Sequence, residues 1–239
     1  MLMVDGWRKG YKMSNYTNII YPHSSSNTYP QKLCRYLFDR FYSSGKKILD
    51  VGCGKGTHIK LFEDLGLDGY GVDLRVGSTD KIKKCNVETE NISFEENMFD
   101  YVFSKSLVEH VNNIDNLFTN IFRVLKPNGV FVCMTPDWKS QMSHFWDDYT
   151  HVHPFTRKSL KNAMLINGFK NVRCEYFYQL PFLWDKPYLN FVPVIINVVT
   201  TQNMKWKDEN ESNGKDNKLI RFSKEKMLLS CGIKDKGQI

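Results

Sequence analysis

The sequence predicts an α/β protein built on a mostly parallel sheet, with helices on both faces and an antiparallel pair at one edge. Three observations carry this. Short, near-continuous apolar segments alternate with helical periodicities from Lys47 to Leu180, the pattern of strands buried on both sides and joined by crossover helices. A Gly-rich turn, Gly52-Cys53-Gly54-Lys55-Gly56, separates the first such strand from the first such helix. A last strand pattern, Lys226–Ile233, returns beside strand six after a long interruption, which suits late antiparallel pairing.

In chain order, residues 1–30 are rich in Tyr, Ser and Asn, show no period, and read as an arm or substrate lid. Residues 31–41 carry Leu33, Leu37, Phe38 and Phe41 at helical spacing. Strand one is Lys47–Val51, and a helix over residues 57–65 stops at Gly66. Strand two covers residues 70–73, strand three 83–87 and strand four 101–104. Ile114, Leu117, Phe118, Ile121, Phe122 and Leu125 follow the i, i+3, i+4, i+7 rule, so one stripe of that helix faces the core. Asn113 caps its start, and Lys126-Pro127-Asn128-Gly129 reads as a stop followed by a turn. Strand five covers 130–135. Thr156 caps a helix that runs to Asn167 and ends at Gly168, and strand six covers 172–180.

The stretch 180–199 is strongly apolar but interrupted by Pro181, Pro187 and Pro193. It reads either as a cover over the sheet or as an interfacial element with Trp184, Tyr188 and Phe191 facing lipid or a hydrophobic ligand. Residues 202–218 are polar with mixed charges and read as a solvated loop. The chain thus divides into an arm and helix (1–40), a core (41–180), an insertion (181–222) and a final strand with the C-terminus (223–239).

The chain has 239 residues, enough for one well-buried domain, and a net charge of +7. The charge allows an anionic partner, but no arginine-rich run or aromatic-flanked basic stripe argues for nucleic acid. The six cysteines are scattered without zinc spacing and point to a reducing, cytoplasmic setting. Asp5 breaks the apolar start, so no signal peptide is expected, and no stretch of about 20 apolar residues predicts a spanning helix.

The glycine turn selects its ligand by charge. A dinucleotide fingerprint would need a glycine at position 57, which is Thr57. Asp50 stands two residues before the first glycine, where a carboxylate repels a pyrophosphate and attracts an ammonium or a sulfonium. Asp73 closes the next strand, where a ribose-binding acid belongs. A ribose and a positive charge without phosphate describe S-adenosylmethionine better than a dinucleotide.

These residues bring a resemblance into view. Ile48-Leu-Asp-Val-Gly-Cys-Gly-Lys-Gly56, Gly69-Tyr-Gly-Val-Asp73, Phe99-Asp-Tyr-Val-Phe-Ser104 with Val108-Glu-His110, and Leu125-Lys-Pro-Asn-Gly-Val-Phe131 stand in order. Together they resemble class I S-adenosylmethionine-dependent methyltransferases of the subgroup acting on small molecules, lipids and glycans. The resemblance implies a Rossmann-like, seven-stranded, mostly parallel sheet with an antiparallel last strand. It implies that Gly52, Cys53, Gly54 and Gly56 line the cofactor turn, that Asp73 binds the ribose hydroxyls, and that Asp50 lies near the methionine ammonium. Leu74 and Val87 would flank the adenine, and Ser104 and Lys105 would face the methyl end of the cofactor. The family's usual acid at the end of strand three is here Asn86, whose amide oxygen can still accept from an exocyclic amine.

Methyl transfer from a sulfonium is mainly a positioning problem, but an oxygen acceptor must lose a proton, so a base is useful. His110, after strand four, and His151 and His153, after strand five, are the candidates; the alternative for each is a structural hydrogen bond. Asp147, Asp148, His151 and His153 also offer metal-ligand chemistry, but loops of this kind are usually metal-free and no metal is expected. The 147–156 loop resembles one in methyltransferases encoded beside polysaccharide genes, and residues 219–229 resemble their final strand. A sugar or glycan hydroxyl, lipid-linked or not, is therefore the first acceptor, with peripheral contact to a membrane surface. The alternatives are a quinone, lipid or other small metabolite, an RNA, or a non-catalytic cofactor-binding subunit.

Overall fold

The computed structural model describes residues 28–200 and 218–235. Helix α1 (Tyr29–Phe41) leads into β1 (Lys47–Val51), α2 (Thr57–Glu63), β2 (Asp68–Asp73), β3 (Ile82–Lys84) and β4 (Phe99–Lys105). A 3-10 turn (Val108–His110), α3 (Ile114–Val124) and β5 (Leu125–Pro136) follow. Then come α4 (Trp138–Gln141), α5 (Arg157–Ile166), β6 (Lys170–Tyr178), α6 (Pro181–Trp184), α7 (Phe191–Val199), α8 (Lys218–Lys224) and β7 (Lys226–Ile233).

The seven strands form one sheet in the order β3-β2-β1-β4-β5-β7-β6. Pairings from β3 to β5 are parallel, and β7 runs antiparallel to both β5 and β6, as the sequence led us to expect. Two apolar clusters cover the two faces. One is built around Leu49, Phe99, Phe118, Phe131 and Phe169, the other around Leu33, Leu37, Ile48, Phe62 and Phe103. β1 supplies both clusters because successive side chains point to opposite faces.

Helices α3 and α5 begin where the sequence says they should, and α1 begins two residues earlier than expected, at Tyr29. Asn113 caps α3 by accepting from the Asn116 amide, and Thr156 closes a capping box with Ser159 on α5. Helix α2 lies so close to β2 that a Cβ on Gly71 would stand 2.5 Å from Ile59 Cδ1, which is why that strand position is glycine.

Four expectations are corrected. The third strand is Ile82–Lys84, not 83–87, because Asn86 Oδ1 accepts from the Glu88 amide and turns the chain away from the sheet. The predicted turn at Lys126–Gly129 is absorbed into β5, with Asn128 at φ 64° and a shift of register. Residues 219–224 are helical rather than part of the final strand; an Arg221–Glu225 pair, four residues apart, closes the helix. Of the two readings of the 180–199 stretch, the interfacial one does not hold for Trp184, which belongs to the cover: its indole N–H donates to the Tyr178 carbonyl and its ring packs on Phe177 and Tyr36. The expected arm over residues 1–27 and most of the loop over 202–218 lie outside the described residues.

Candidate functional site

The carboxyl ends of β1, β2 and β4 converge on the glycine turn, the place where open α/β sheets bind ligands. Gly52, Gly54 and Gly56 all have positive φ, at 82°, 53° and 76°. At Gly54 a Cβ would meet nothing within 4 Å, so the turn opens onto space that a ligand can enter against bare backbone.

Two buried acids flank that space. Asp73 is pinned by its neighbours: Oδ2 accepts from the Gly54 amide at 2.9 Å and Oδ1 from the Arg75 amide at 2.8 Å. Arg75 Nε adds a longer bond to Oδ1 at 3.4 Å, so of the roughly four acceptor positions of a carboxylate the free one lies on Oδ2; a second hydroxyl would take the place of the Arg75 guanidinium. Asp50 is 2% exposed, and its Oδ2 has no hydrogen-bond partner. His58 Nδ1 stands 3.9 Å away and is itself held neutral, its pKa lowered to about 4 mainly by burial. Burial, reinforced by the charge of Asp73, raises the Asp50 carboxyl to about 8. An unpartnered acid with a raised pKa beside a second acid is a place that asks for a cation or a donor.

The remaining expected cofactor residues line the same region in different ways. Cys53 is buried beneath the turn, Leu74 is half-buried, and Val87 is buried with its carbonyl accepting from Asn116. Asn86 Oδ1 already accepts one hydrogen bond within its own turn. The Ser104 hydroxyl donates to the Val51 carbonyl and ties β4 to β1, so its side chain serves the sheet. Burial lowers the Lys105 ammonium, which faces Glu109 and Asp50.

Beyond β4 and β5 a second cluster forms. The His110 and His151 rings lie 4.7 Å apart, brought together because the Glu109 carbonyl accepts from the amides of Val152 and His153. Thr150 Oγ1 donates to Asp148 Oδ1 at 2.6 Å, so it can only accept from His110 Nδ1 at 2.9 Å. That fixes the neutral ring with its proton on Nδ1 and its basic lone pair on Nε2. Burial, aided by His151, lowers His110 to about 4, so it is neutral at pH 7. His151 Nδ1 likewise donates to the Phe145 carbonyl. His153 is not brought into this cluster; it stacks on Phe155, at 5.7 Å between ring centres.

Glu109, 1% exposed and accepting from Thr135 Oγ1 at 2.8 Å, was not singled out by the sequence. Burial raises its carboxyl to about 7. With His110 and His151 it places three potential ligand atoms within 4.8 Å of one another. A bound divalent ion would need those atoms roughly 3 Å apart, so the cluster would have to contract. The four residues whose types offered metal-ligand chemistry in the sequence, Asp147, Asp148, His151 and His153, are not brought together: Asp147 faces His144 and His153 stacks on Phe155.

Residues 26–173 match the family described as a methyltransferase domain. The phosphoethanolamine N-methyltransferase 2 of Caenorhabditis elegans is 27% identical over 151 residues, covering 56% of this chain and 35% of that protein. The mitochondrial ubiquinone biosynthesis O-methyltransferase of Rattus norvegicus is 33% identical over 116 residues, covering 42% and 33%. The chain therefore spans about a third of the length of these curated relatives. Among solved structures, a SAM-dependent methyltransferase from Archaeoglobus fulgidus superposes with a TM-score of 0.60 at 17% identity, covering 93% of this chain and 99% of that one, a likeness of fold.

Proposed function

This chain belongs to the methyltransferase-domain family, and on that premise we propose that it moves a methyl group from S-adenosylmethionine to a hydroxyl of a sugar or glycan acceptor. The observation that carries the reading is the pair of buried acids at the glycine turn. Asp50 is orphaned and suits the ammonium of the methionine moiety, while Asp73 is pre-oriented toward the ribose, with Oδ2 open to one hydroxyl and Oδ1 open to the second once the long Arg75 Nε contact gives way. The open space at Gly54 admits a nucleoside close to the backbone. When bound, the cofactor supplies a methyl group already activated on a sulfonium.

The chain's own residues then have two tasks. The turn and its acids hold the donor in place, which supplies much of the rate for an in-line displacement. His110 takes the acceptor's proton at Nε2, and the charge it gains is met through Thr150 by Asp148, the orienting logic of a hydrogen-bonded acid behind a histidine. Trp146 and Tyr149 on the same loop are 55% and 78% exposed and offer flat apolar faces to a sugar ring.

A second reading, a lipid or quinone acceptor, is favoured by the exposed apolar surface of α7. Supplying labelled donor with glycans, nucleotide sugars, quinones and lipids separates the two. Label on a sugar hydroxyl is expected. Label confined to the apolar acceptors selects the second reading, and cofactor binding without any transfer would point to a non-catalytic subunit.

A further inference from the structure

Helix α7 reverses the usual pattern of a surface helix. Its inward side is formed by Val192, Pro193 and Ile196, which are buried or half-buried. Its outward side carries Phe191, Val194, Ile195, Val198 and Val199 at i, i+3, i+4, i+7 and i+8, each more than half exposed. A continuous helical stripe of large aliphatic side chains therefore faces solvent, with Tyr188 (69% exposed) and Phe182 (44% exposed) before it.

The C-terminal turn of the same helix borders a cavity of about 470 Å³, lined by Asn197 and Thr200 of the helix turn, by Lys139, by Lys224 and Lys226, and by Asp137. Three ammonium groups meet one carboxylate there. Asp137 is 2% exposed and its Oδ2 accepts from the Ser140 amide, so it is engaged with its own backbone. Lys226 lies over the Tyr176 ring at 5.0 Å, and Lys139 and Lys224 have no carboxylate partner among the described residues. The helix end contributes only about half a negative charge. Among the described residues, the lining of the cavity is therefore cationic.

We propose that α7 and the lysine-lined cavity at its end form one docking surface for an anionic phospholipid bilayer. The aliphatic stripe enters the boundary between headgroups and acyl chains, and the cavity takes a headgroup phosphate. An apolar stripe and a cationic pocket side by side match a lipid surface, whose phosphates lie just above its hydrocarbon. A second copy of the chain is the poorer fit. A nine-residue helix offers far less than the ~800 Å² per partner that a stable dimer buries, and it would leave the lysines facing each other. The surface uses none of the residues assigned to cofactor or proton transfer, and its vesicle test is read without any methyl acceptor.

The test is sedimentation of the full chain, without cofactor, with vesicles of phosphatidylcholine alone and of phosphatidylcholine mixed with phosphatidylglycerol. Binding to the mixed vesicles is expected, at least about tenfold tighter than to the neutral ones. Val194→Asp with Val198→Asp should abolish binding to both, and Lys139→Glu with Lys224→Glu should remove only the anionic preference. Thermal melting within a few degrees of the parent shows that the variants fold. Three results overturn the proposal: no sedimentation with either vesicle, sedimentation indifferent to both pairs of substitutions, or light scattering that shows a dimer dissociated by Val194→Asp with Val198→Asp.

Discussion

The cofactor turn and the acceptor-side loop stand at the same end of the sheet but are held in opposite ways. The turn is held by what is local to it. Asp50 and Asp73 stand at the carboxyl ends of two paired parallel strands, Asp50 opposite Gly71 and Asp73 two residues further on, and the glycines of the turn after β1 take positive φ that other residues resist. The loop from Phe145 to Thr156 is held by contacts remote in sequence: the Glu109 carbonyl on two of its amides, His110 on Thr150, and the rings of His110 and His151 against each other. Where a backbone rule places a side chain, a short motif is enough to find it. Where a single long-range hydrogen bond places it, only the fold reveals the partner.

Substitutions in the two regions should separate cleanly. His110→Ala should lower kcat by roughly a hundredfold to ten-thousandfold, the span of general-base catalysis, while the Kd for cofactor measured by calorimetry stays within a factor of about two. A loss of less than about fivefold would move the base elsewhere. Asp73→Ala should do the reverse, weakening cofactor binding by roughly a hundredfold as about 3 kcal/mol of charge-assisted hydrogen bonding is lost. At saturating cofactor its kcat should be close to that of the parent; a kcat effect without a binding effect would break the division. Thr150→Val is the smallest change. It should lower kcat by about tenfold by releasing the His110 tautomer, with an unchanged melting temperature. At saturating cofactor the parent's kcat/KM for the acceptor should hold down to about pH 4, because burial lowers His110 from 6.5 to about 4 and the ring stays a base above that value. An acid limb near 6.5 would mean a more exposed imidazole.

The same contrast explains how far the sequence could be read. Strand one, the two acids, the three glycines and the caps at Asn113 and Thr156 follow from rules that act within a few residues, and the structure places them as read. The histidines were found as residue types, but their grouping was not: sequence offered three equivalents, and the Glu109 carbonyl joins His151 to His110 while His153 packs on Phe155. Thr150 gave no signal, since its role is to bridge Asp148 to a ring forty residues away. Strand three failed because Cys85, buried like a strand residue, is followed by an Asn that turns the chain. For Trp184 the sequence left a choice between cover and interface, because hydrophobicity alone does not show that its indole N–H finds an acceptor within the fold.

The central claim is that Asp50 waits, largely protonated, for a cation. With its folded-state value near 8, above the ordinary 3.8, the free protein binds one proton more than the unfolded chain between those values, so its stability falls as pH rises through that window. An ammonium beside the carboxyl reverses the preference and expels the proton. Calorimetry of S-adenosylhomocysteine binding at pH 7, in buffers of different ionisation enthalpy, reads this directly. The account predicts release of about one proton per cofactor bound, abolished in Asp50→Asn. A heat independent of buffer, or tighter binding of NAD than of the adenosyl cofactor, would contradict it.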